Sequence, residues 1–179
     1  YTENDFSSRP FFTDPEIKRT NLAAVILRMY ALHLGNVDAF PFLERPERKA
    51  VNEGFKLLIE LNALTSKREL TNIGKQMAAL PVDPKLAIMS VTANSLDCLE
   101  EVLIVVSMLS VQNPREEVTD RHKNATEKSD LFNNQDSDFM SFIELWNEFE
   151  IKRLSYTHSQ LKKYCKANHL SLIRMREWR

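Results

Sequence analysis

The segment Leu70-Thr71-Asn72-Ile73-Gly74-Lys75-Gln76-Met77-Ala78-Ala79-Leu80-Pro81-Val82-Asp83-Pro84-Lys85-Leu86 holds two helix boundaries within a few residues of each other. Thr71 is a good N-cap for a short amphipathic helix that buries Ile73, Met77 and Leu80. Pro81 stops that helix, since its ring cannot continue the helical hydrogen bonding. Asp83 followed by Pro84 starts another, with aspartate at the cap and proline at the first helical position. A stiff elbow this short predicts two modules, one on each side, held at a fixed angle.

Upstream, residues 1–13 have no sustained period and contain Pro10, so they read as an extended lead-in. Thr13-Asp14-Pro15-Glu16 is a helix start: either Thr13 caps and Glu16 closes a capping box, or Asp14 caps before Pro15. Leu22, Val25, Ile26 and Met29 follow at helical spacing, and Gly35 is the expected stop. Phe40-Pro41-Phe42 lies in the next loop, its rings available either to anchor the loop or to stack on bases. Pro46 opens a second helix with Val51, Phe55, Leu58 and Ile59 on one face. Asn62 stands where glycine often ends a helix. Ala63-Leu64-Thr65 and Glu69-Leu70-Thr71 flank Ser66-Lys67-Arg68 and fit a short two-stranded wing. Two helices, a wing and a third helix make a winged-helix pattern over 14–80.

Downstream, residues 81–179 read as all-helical. Leu86, Met89 and Ala93 share one helical face. Asp97 is the expected cap of the next helix, which carries Leu99, Val102, Leu103, Ile104, Val105, Val106, Met108 and Leu109. Apolar on nearly every side, it reads as the centre of a bundle. A charged connection runs to about residue 134. Asp136-Ser137-Asp138 then caps a helix buried through Phe139, Phe142, Ile143, Trp146 and Phe149. Thr157 with Gln160 forms a capping box for a helix that turns Leu161, Tyr164 and Cys165 inward and Lys162, Lys163 and Lys166 outward. A last helix, from about His169, carries Leu170, Ile173 and Trp178 among Arg174, Arg176 and Arg179.

The chain has 179 residues and 43% hydrophobic residues, enough for a real core, and only three glycines, which disfavours an all-β protein. Net charge is −1, but residues 151–179 hold eight Lys/Arg against Glu177, a local +7, leaving −8 on the rest. Such a basic end suits a polyanion; a solvated helical face is the competing reading. Catalysis finds little support. The four histidines are scattered, and the glycine spacing excludes a G-x-x-x-x-G-K-[ST] phosphate loop. No catalytic residue and no metal-ligand set is assigned. Cys98 and Cys165 lack ligand spacing, sit on apolar helical faces and read as buried, reduced thiols. The longest apolar run falls well short of the ~20 residues a membrane span needs, and no signal-peptide pattern is present, so a cytoplasmic location is expected. A start at Tyr1 without Met and an end inside an apparent helix suggest an excised fragment, truncated at its C-terminal end.

Several segments, in order, resemble DEAH-box RNA helicases. Phe12-Thr13-Asp14-Pro15-Glu16-Ile17-x-Arg19-Thr20-Asn21-Leu22-Ala23 is similar to the lead from the second RecA-like domain into the winged helix. Phe40-Pro41-Phe42 and Gly54-x-x-Leu57-Leu58-x-x-Leu61-x-Ala63-Leu64 resemble the winged helix itself, with Asn62 replacing a frequent glycine. Leu-Thr-x-x-Gly at 70–74, Leu80-Pro81-Val82-Asp83-Pro84 and Leu109-Ser110-Val111-Gln112-Asn113-Pro114-Arg115-Glu116 continue the match into the helical ratchet domain. Asp136-Ser137-Asp138-Phe139-x-x-Phe142-x-x-Leu145-Trp146-Asn147 and Arg174-Met175-Arg176-Glu177-Trp178 resemble the bacterial HrpA-type branch.

The resemblance implies a mostly α chain: a lead-in over 1–13 from a RecA-like domain, a winged-helix domain over 14–80 with a short β wing, and a helical ratchet bundle over 81–179. It implies the accessory region of an ATP-dependent RNA helicase, with ATP, Mg and the hydrolytic motifs in parts of the parent protein outside this chain. Expected partners are single-stranded RNA and the RecA-like domains of the same chain. RNA-facing candidates follow from matched segments plus charge. Arg115 lies in the turn after the central helix. Ser137 and Asp138 open a helix N-terminus, which favours a phosphate, although Asp138 itself opposes one and is positional. Lys162, Lys163, Lys166, Asn168, Ser171, Arg174 and Arg176 belong to the basic end. Phosphate and sugar contacts of this kind carry little sequence preference. The alternative is a protein-interaction module that docks a regulatory partner through the winged helix. A free-standing DNA regulator is disfavoured, because residues 1–69 balance ten Lys/Arg against ten Asp/Glu.

Overall fold

The computed structural model describes residue 2 and residues 22–116 and 137–179. The expected lead-in, the helix start at Thr13 to Glu16, the charged connection to about residue 134 and Asp136 lie outside the described residues. Eight α-helices occur among the described residues: α1 Ala23–Ala31, α2 Arg48–Glu60, α3 Asn72–Ala78, α4 Pro84–Ser95, α5 Leu99–Ser110, α6 Asp138–Ser155, α7 His158–Ala167 and α8 Leu172–Trp178. The chain divides into two compact units, Tyr1–Val91 and Thr92–Arg179.

The first unit is built on α1, α2 and α3. Ile26, Phe55, Leu58, Ala63, Leu64 and Met77 are buried in one core with Leu22 and Ala87. Gly54 lets α1 and α2 approach closely: a Cβ there would sit 2.8 Å from Ile26 Cδ1 and 3.1 Å from the Ala23 nitrogen. Thr71 caps α3 as its residue type predicts, its Oγ1 accepting from the Gly74 N–H at 2.9 Å. The same hydroxyl donates to the Asn62 carbonyl at 2.6 Å, which ties the start of α3 to the end of α2. Met77 is buried and Leu80 partly so, but Ile73 is 37% exposed, since Gly74 and Met77 take the inward positions of this two-turn helix. Asp83 Oδ1 accepts from the Lys85 N–H at 2.9 Å at the start of α4.

The two-stranded wing is not formed as strands. A single antiparallel bridge joins Leu64 and Leu70, with the Thr65 N–H donating to the Glu69 carbonyl at 2.9 Å. The reason is space. Asn62 stops α2 with φ 55° and Thr71 caps α3, so little chain remains between them for a ladder. Glycine is not the usual stop signal here. His33 at φ 54°, not Gly35, follows the end of α1, and the Leu34 N–H reaches back to the Met29 carbonyl at 3.0 Å. Asn62, Asp97 and His169 close α2, α4 and α7 with the same left-handed turn and reach-back bond. Asp97 therefore ends α4 rather than capping α5; Cys98 occupies that cap and makes no side-chain capping bond.

In the second unit, Ile104 and Met108 of α5, Leu145 and Phe149 of α6, Leu161 and Cys165 of α7, and Leu170, Met175 and Trp178 share a core. The central-helix expectation is corrected in part: Leu103 (45%) and Leu109 (47%) remain exposed on α5. On α6, Phe139 is 49% exposed, while Phe142, Ile143 and Trp146 pack against the core. The Thr157–Gln160 capping box is present on α7. The last helix starts at Leu172, three residues later than expected, because His169 belongs to the turn that closes α7 and Ser171 is the N-cap of α8.

Candidate nucleic-acid interface

Four residue pairs far apart in sequence meet in the second unit. Asn113 and Pro114 end the apolar helix α5 in a turn, and the Asn113 Oδ1 accepts from the Arg115 N–H at 2.9 Å. That turn docks on the α7–α8 connection. Arg115 pairs with Leu170 in an antiparallel bridge, the Glu116 N–H donates to the His169 carbonyl at 2.8 Å, and the Ser171 N–H donates to the Pro114 carbonyl at 2.8 Å. Arg174, one turn into α8, donates from Nη1 to the Asn113 carbonyl at 3.0 Å. The Arg115 guanidinium lies 5.5 Å from the centre of the Phe142 ring of α6. Burial lowers the Arg115 pKa, and the charge of Asp138 at the start of α6 opposes that shift. Ser137 caps α6, accepting from the Met140 N–H at 3.4 Å.

Five of the ten candidates, Arg115, Ser137, Asp138, Ser171 and Arg174, are thus tied to one locality by the bridge, the Arg174 bond and the Arg115–Asp138 interaction. The remaining five separate. Lys162, Lys163 and Lys166 are exposed on α7, opposite buried Leu161 and Cys165, as their spacing predicts. Asn168 donates its side-chain amide to the Tyr164 carbonyl at 2.8 Å and serves the end of its own helix. Arg176 is exposed and lies near enough to Cys165 for its charge to act on that thiol. Burial nevertheless pushes Cys165 up to about 11, which keeps it a protonated, packed thiol. Tyr164 rises to about 12, chiefly from burial and then from Glu148.

Two participants escape sequence reasoning. Asn113 organises the turn through its side chain and its carbonyl; the Asn-Pro pair is its only sequence signal. Phe142 reads as a core residue and serves as one, yet one face also meets Arg115. Among the described residues no group of His, Cys, Asp and Glu is arranged to hold a metal, and no helix is long and apolar enough to cross a membrane.

Comparison with known proteins finds two helicase-associated domains in succession. Residues 55–82 match the winged-helix helicase associated domain (HA2), and residues 83–142 match the ratchet-like helicase associated domain (HA2). The chain is 43% identical, over 99% of its length, to the ATP-dependent RNA helicase HrpA of Escherichia coli, and 43% identical over 99% to the HrpA homolog of Haemophilus influenzae. It is 31% identical over 96% to the pre-mRNA-splicing factor ATP-dependent RNA helicase DEAH10 of Arabidopsis thaliana. It spans 14% of each HrpA relative and 25% of the Arabidopsis protein. With both accessory domains matched in order and the identity running end to end, the chain belongs to the helicase-associated winged-helix and ratchet-like region of the HrpA-type DEAH-box RNA helicases.

Proposed function

We propose that this chain is the accessory region of an ATP-dependent RNA helicase, and that its ratchet unit holds single-stranded RNA against the motor during translocation and unwinding. The observation that carries the reading is the docking of the α5 turn on the α7–α8 connection, with Arg115 and Arg174 in that locality. A guanidinium backed by an aromatic ring is held in place before ligand arrives, which limits the ordering cost of binding. Lys162, Lys163 and Lys166 add exposed positive charge on α7. In this reading the parent protein's RecA-like domains bind ATP and Mg outside the present residues, and the protein works in the cytoplasm. In the same reading the winged-helix domain spans 14–80 and the ratchet domain 81–179.

The test is RNA-stimulated ATP turnover by the full-length protein carrying Arg115→Gln with Arg174→Gln. Turnover without RNA is expected to stay near wild type, while the RNA concentration for half-maximal stimulation rises about tenfold or more. Unchanged RNA stimulation would overturn the proposed path and favour the docking of a protein regulator on the winged-helix unit.

A further inference from the structure

The first unit contains a pocket of about 460 Å³ lined by Arg45, Arg48 and Arg68 together with Asp38, Phe40 and Phe42. We propose that this pocket binds a phosphate monoester attached to a nucleoside, either a free nucleotide or the phosphorylated end of an RNA strand. It belongs to the winged-helix unit and shares no residue with the ratchet-unit path proposed above.

Charge makes the first case. Three guanidinium groups face one carboxylate, a surplus of two positive charges in a single concavity. A carboxylate side chain supplies one negative charge, and so does an internal phosphodiester. A phosphate monoester carries about −1.5 to −2 at neutral pH and offers three acceptor oxygens, which matches the surplus. Guanidinium forks suit those oxygens because they donate paired, parallel hydrogen bonds.

The pocket is also held in readiness. Arg68 has a left-handed backbone, φ 61°, uncommon for a residue with a side chain. Its guanidinium carbon stacks 3.9 Å over the Phe55 ring, and Phe55 is buried in the core. The left-handed residue closes the three-residue turn, its N–H donating to the Thr65 carbonyl at 2.8 Å, and the stacking on Phe55 holds its guanidinium in a fixed place beside the cavity. Arg48 begins α2, where a cation opposes the helix dipole and no acidic residue occupies the first turn. A cation kept against the local preference in this way is expected where function sets the residue.

The aromatic pair selects the rest of the ligand. Phe40 and Phe42 pack at 4.8 Å between ring centres, half-buried against the core, and both also line the pocket. They anchor the loop and leave an aromatic wall beside the arginines, where a base stacks. A phosphorylated serine or threonine would use the arginines without using that wall.

Affinity is measured on the full chain by calorimetry with uridine 5′-monophosphate, a ten-nucleotide oligouridylate with and without a 5′-phosphate, and a phosphoserine hexapeptide. The 5′-phosphorylated strand is expected to bind about tenfold tighter than its 5′-hydroxyl counterpart. Arg45→Gln and Arg48→Gln are each expected to abolish that difference, whereas Lys56→Gln, exposed on α2 outside the pocket, leaves it within about twofold. Arg45 lies in a loop, so its replacement tests the site without disturbing a helix. Equal affinity for the monophosphate and the phosphorylated strand supports a free-nucleotide site; tighter binding of the strand supports a strand end. Indifference to the 5′-phosphate overturns the proposal, as does a phosphopeptide that binds as tightly as the nucleotide. Loss of the ratchet path instead, through Arg174→Gln, weakens both strands equally and leaves the 5′-phosphate preference intact.

Discussion

Thr71 carries two links with one hydroxyl, accepting from Gly74 and donating to Asn62. Thr71→Ala removes the cap and leaves a carbonyl short of its partner, at an expected cost of about 1–2 kcal/mol. Thr71→Ser keeps both bonds and is expected to recover most of it; urea denaturation of the two variants checks this. Gly74 has a different constraint. Any Cβ there meets the Ala63 carbonyl and comes within 2.8 Å of Leu70 Cδ1. Gly74→Ala is expected to destabilise by about 1–3 kcal/mol despite alanine's better helix propensity, because backbone has to move. A neutral or stabilised variant in the same denaturation series would contradict that packing. Cys165 gives a prediction with a sign. Its thiol moves from an ordinary 9.0 to about 11 in the fold, and Tyr164 from 10.0 to about 12. Both neutral forms are favoured by burial, so their stabilisation is complete below about pH 9 and is lost as pH rises through 11 to 12. Denaturation at pH 8 and pH 10.5 is expected to show the fall, and Cys165→Ala to reduce it.

The clearest inter-helix tie in the second unit is Trp178 of α8, whose Nε1 donates to the Ile104 carbonyl at 3.0 Å and to Ser107 Oγ at 3.1 Å on α5. Its ring meets Trp146 of α6 edge-on at 5.1 Å. Trp178→Phe keeps an aromatic ring but deletes the donor, so a loss of about 2 kcal/mol is expected, read as an earlier denaturation midpoint followed by Trp146 fluorescence. Elements like this one mark the limit of what the sequence discloses. Caps were legible where a side chain acts on its neighbours: Thr71, Asp83, Ser137 and Thr157 all bond within three residues. Of the stops only Asn62 was legible, as a stand-in for glycine; His33, Asp97 and His169 take the same left-handed turn with nothing to announce it. The first compact unit also continues to Val91, past the elbow at which the sequence reading divides the chain, since Ala87, Ile88 and Val91 pack into the first core. The pocket arginines were silent for a similar reason. Arg68 is twenty residues beyond Arg48, and only the fold gathers it with Arg45 and Arg48.

At the scale of the whole molecule, the sequence total of +7 over residues 151–179 overstates the charge available to a polyanion. Lys152 pairs with Glu148 at 3.2 Å, while Arg153 and Arg179 share Glu150 at 2.8 and 3.1 Å. Those two acids fall just before residue 151, so the count misses them. Hydrogen bonding to Arg153 is the largest cause of the lowered Glu150 pKa, as expected of a carboxylate committed to its neighbours. Arg174 is directed at the Asn113 carbonyl. The exposed lysines Lys162, Lys163 and Lys166 are then the cations of this segment best placed to neutralise phosphates in the proposed path. Each phosphate neutralised on a single strand releases counterions and contributes about −0.7 to the slope of log affinity against log salt. Reversing all three lysines to Glu in the full-length protein is expected to weaken single-stranded RNA binding and flatten that slope by about 2. Buried Leu161 and Cys165 lie on the opposite face of α7, so the fold is expected to survive. Reversal of Lys56, Lys67 and Lys75, equally exposed and in the first unit, changes net charge by the same amount and is expected to flatten the slope far less. Equal flattening by both triple variants would mean that RNA responds to total charge alone. An unchanged slope in the α7 variant would return Lys162, Lys163 and Lys166 to the status of a solvated helix face, leaving the Arg115 and Arg174 locality as the only part of the path still supported.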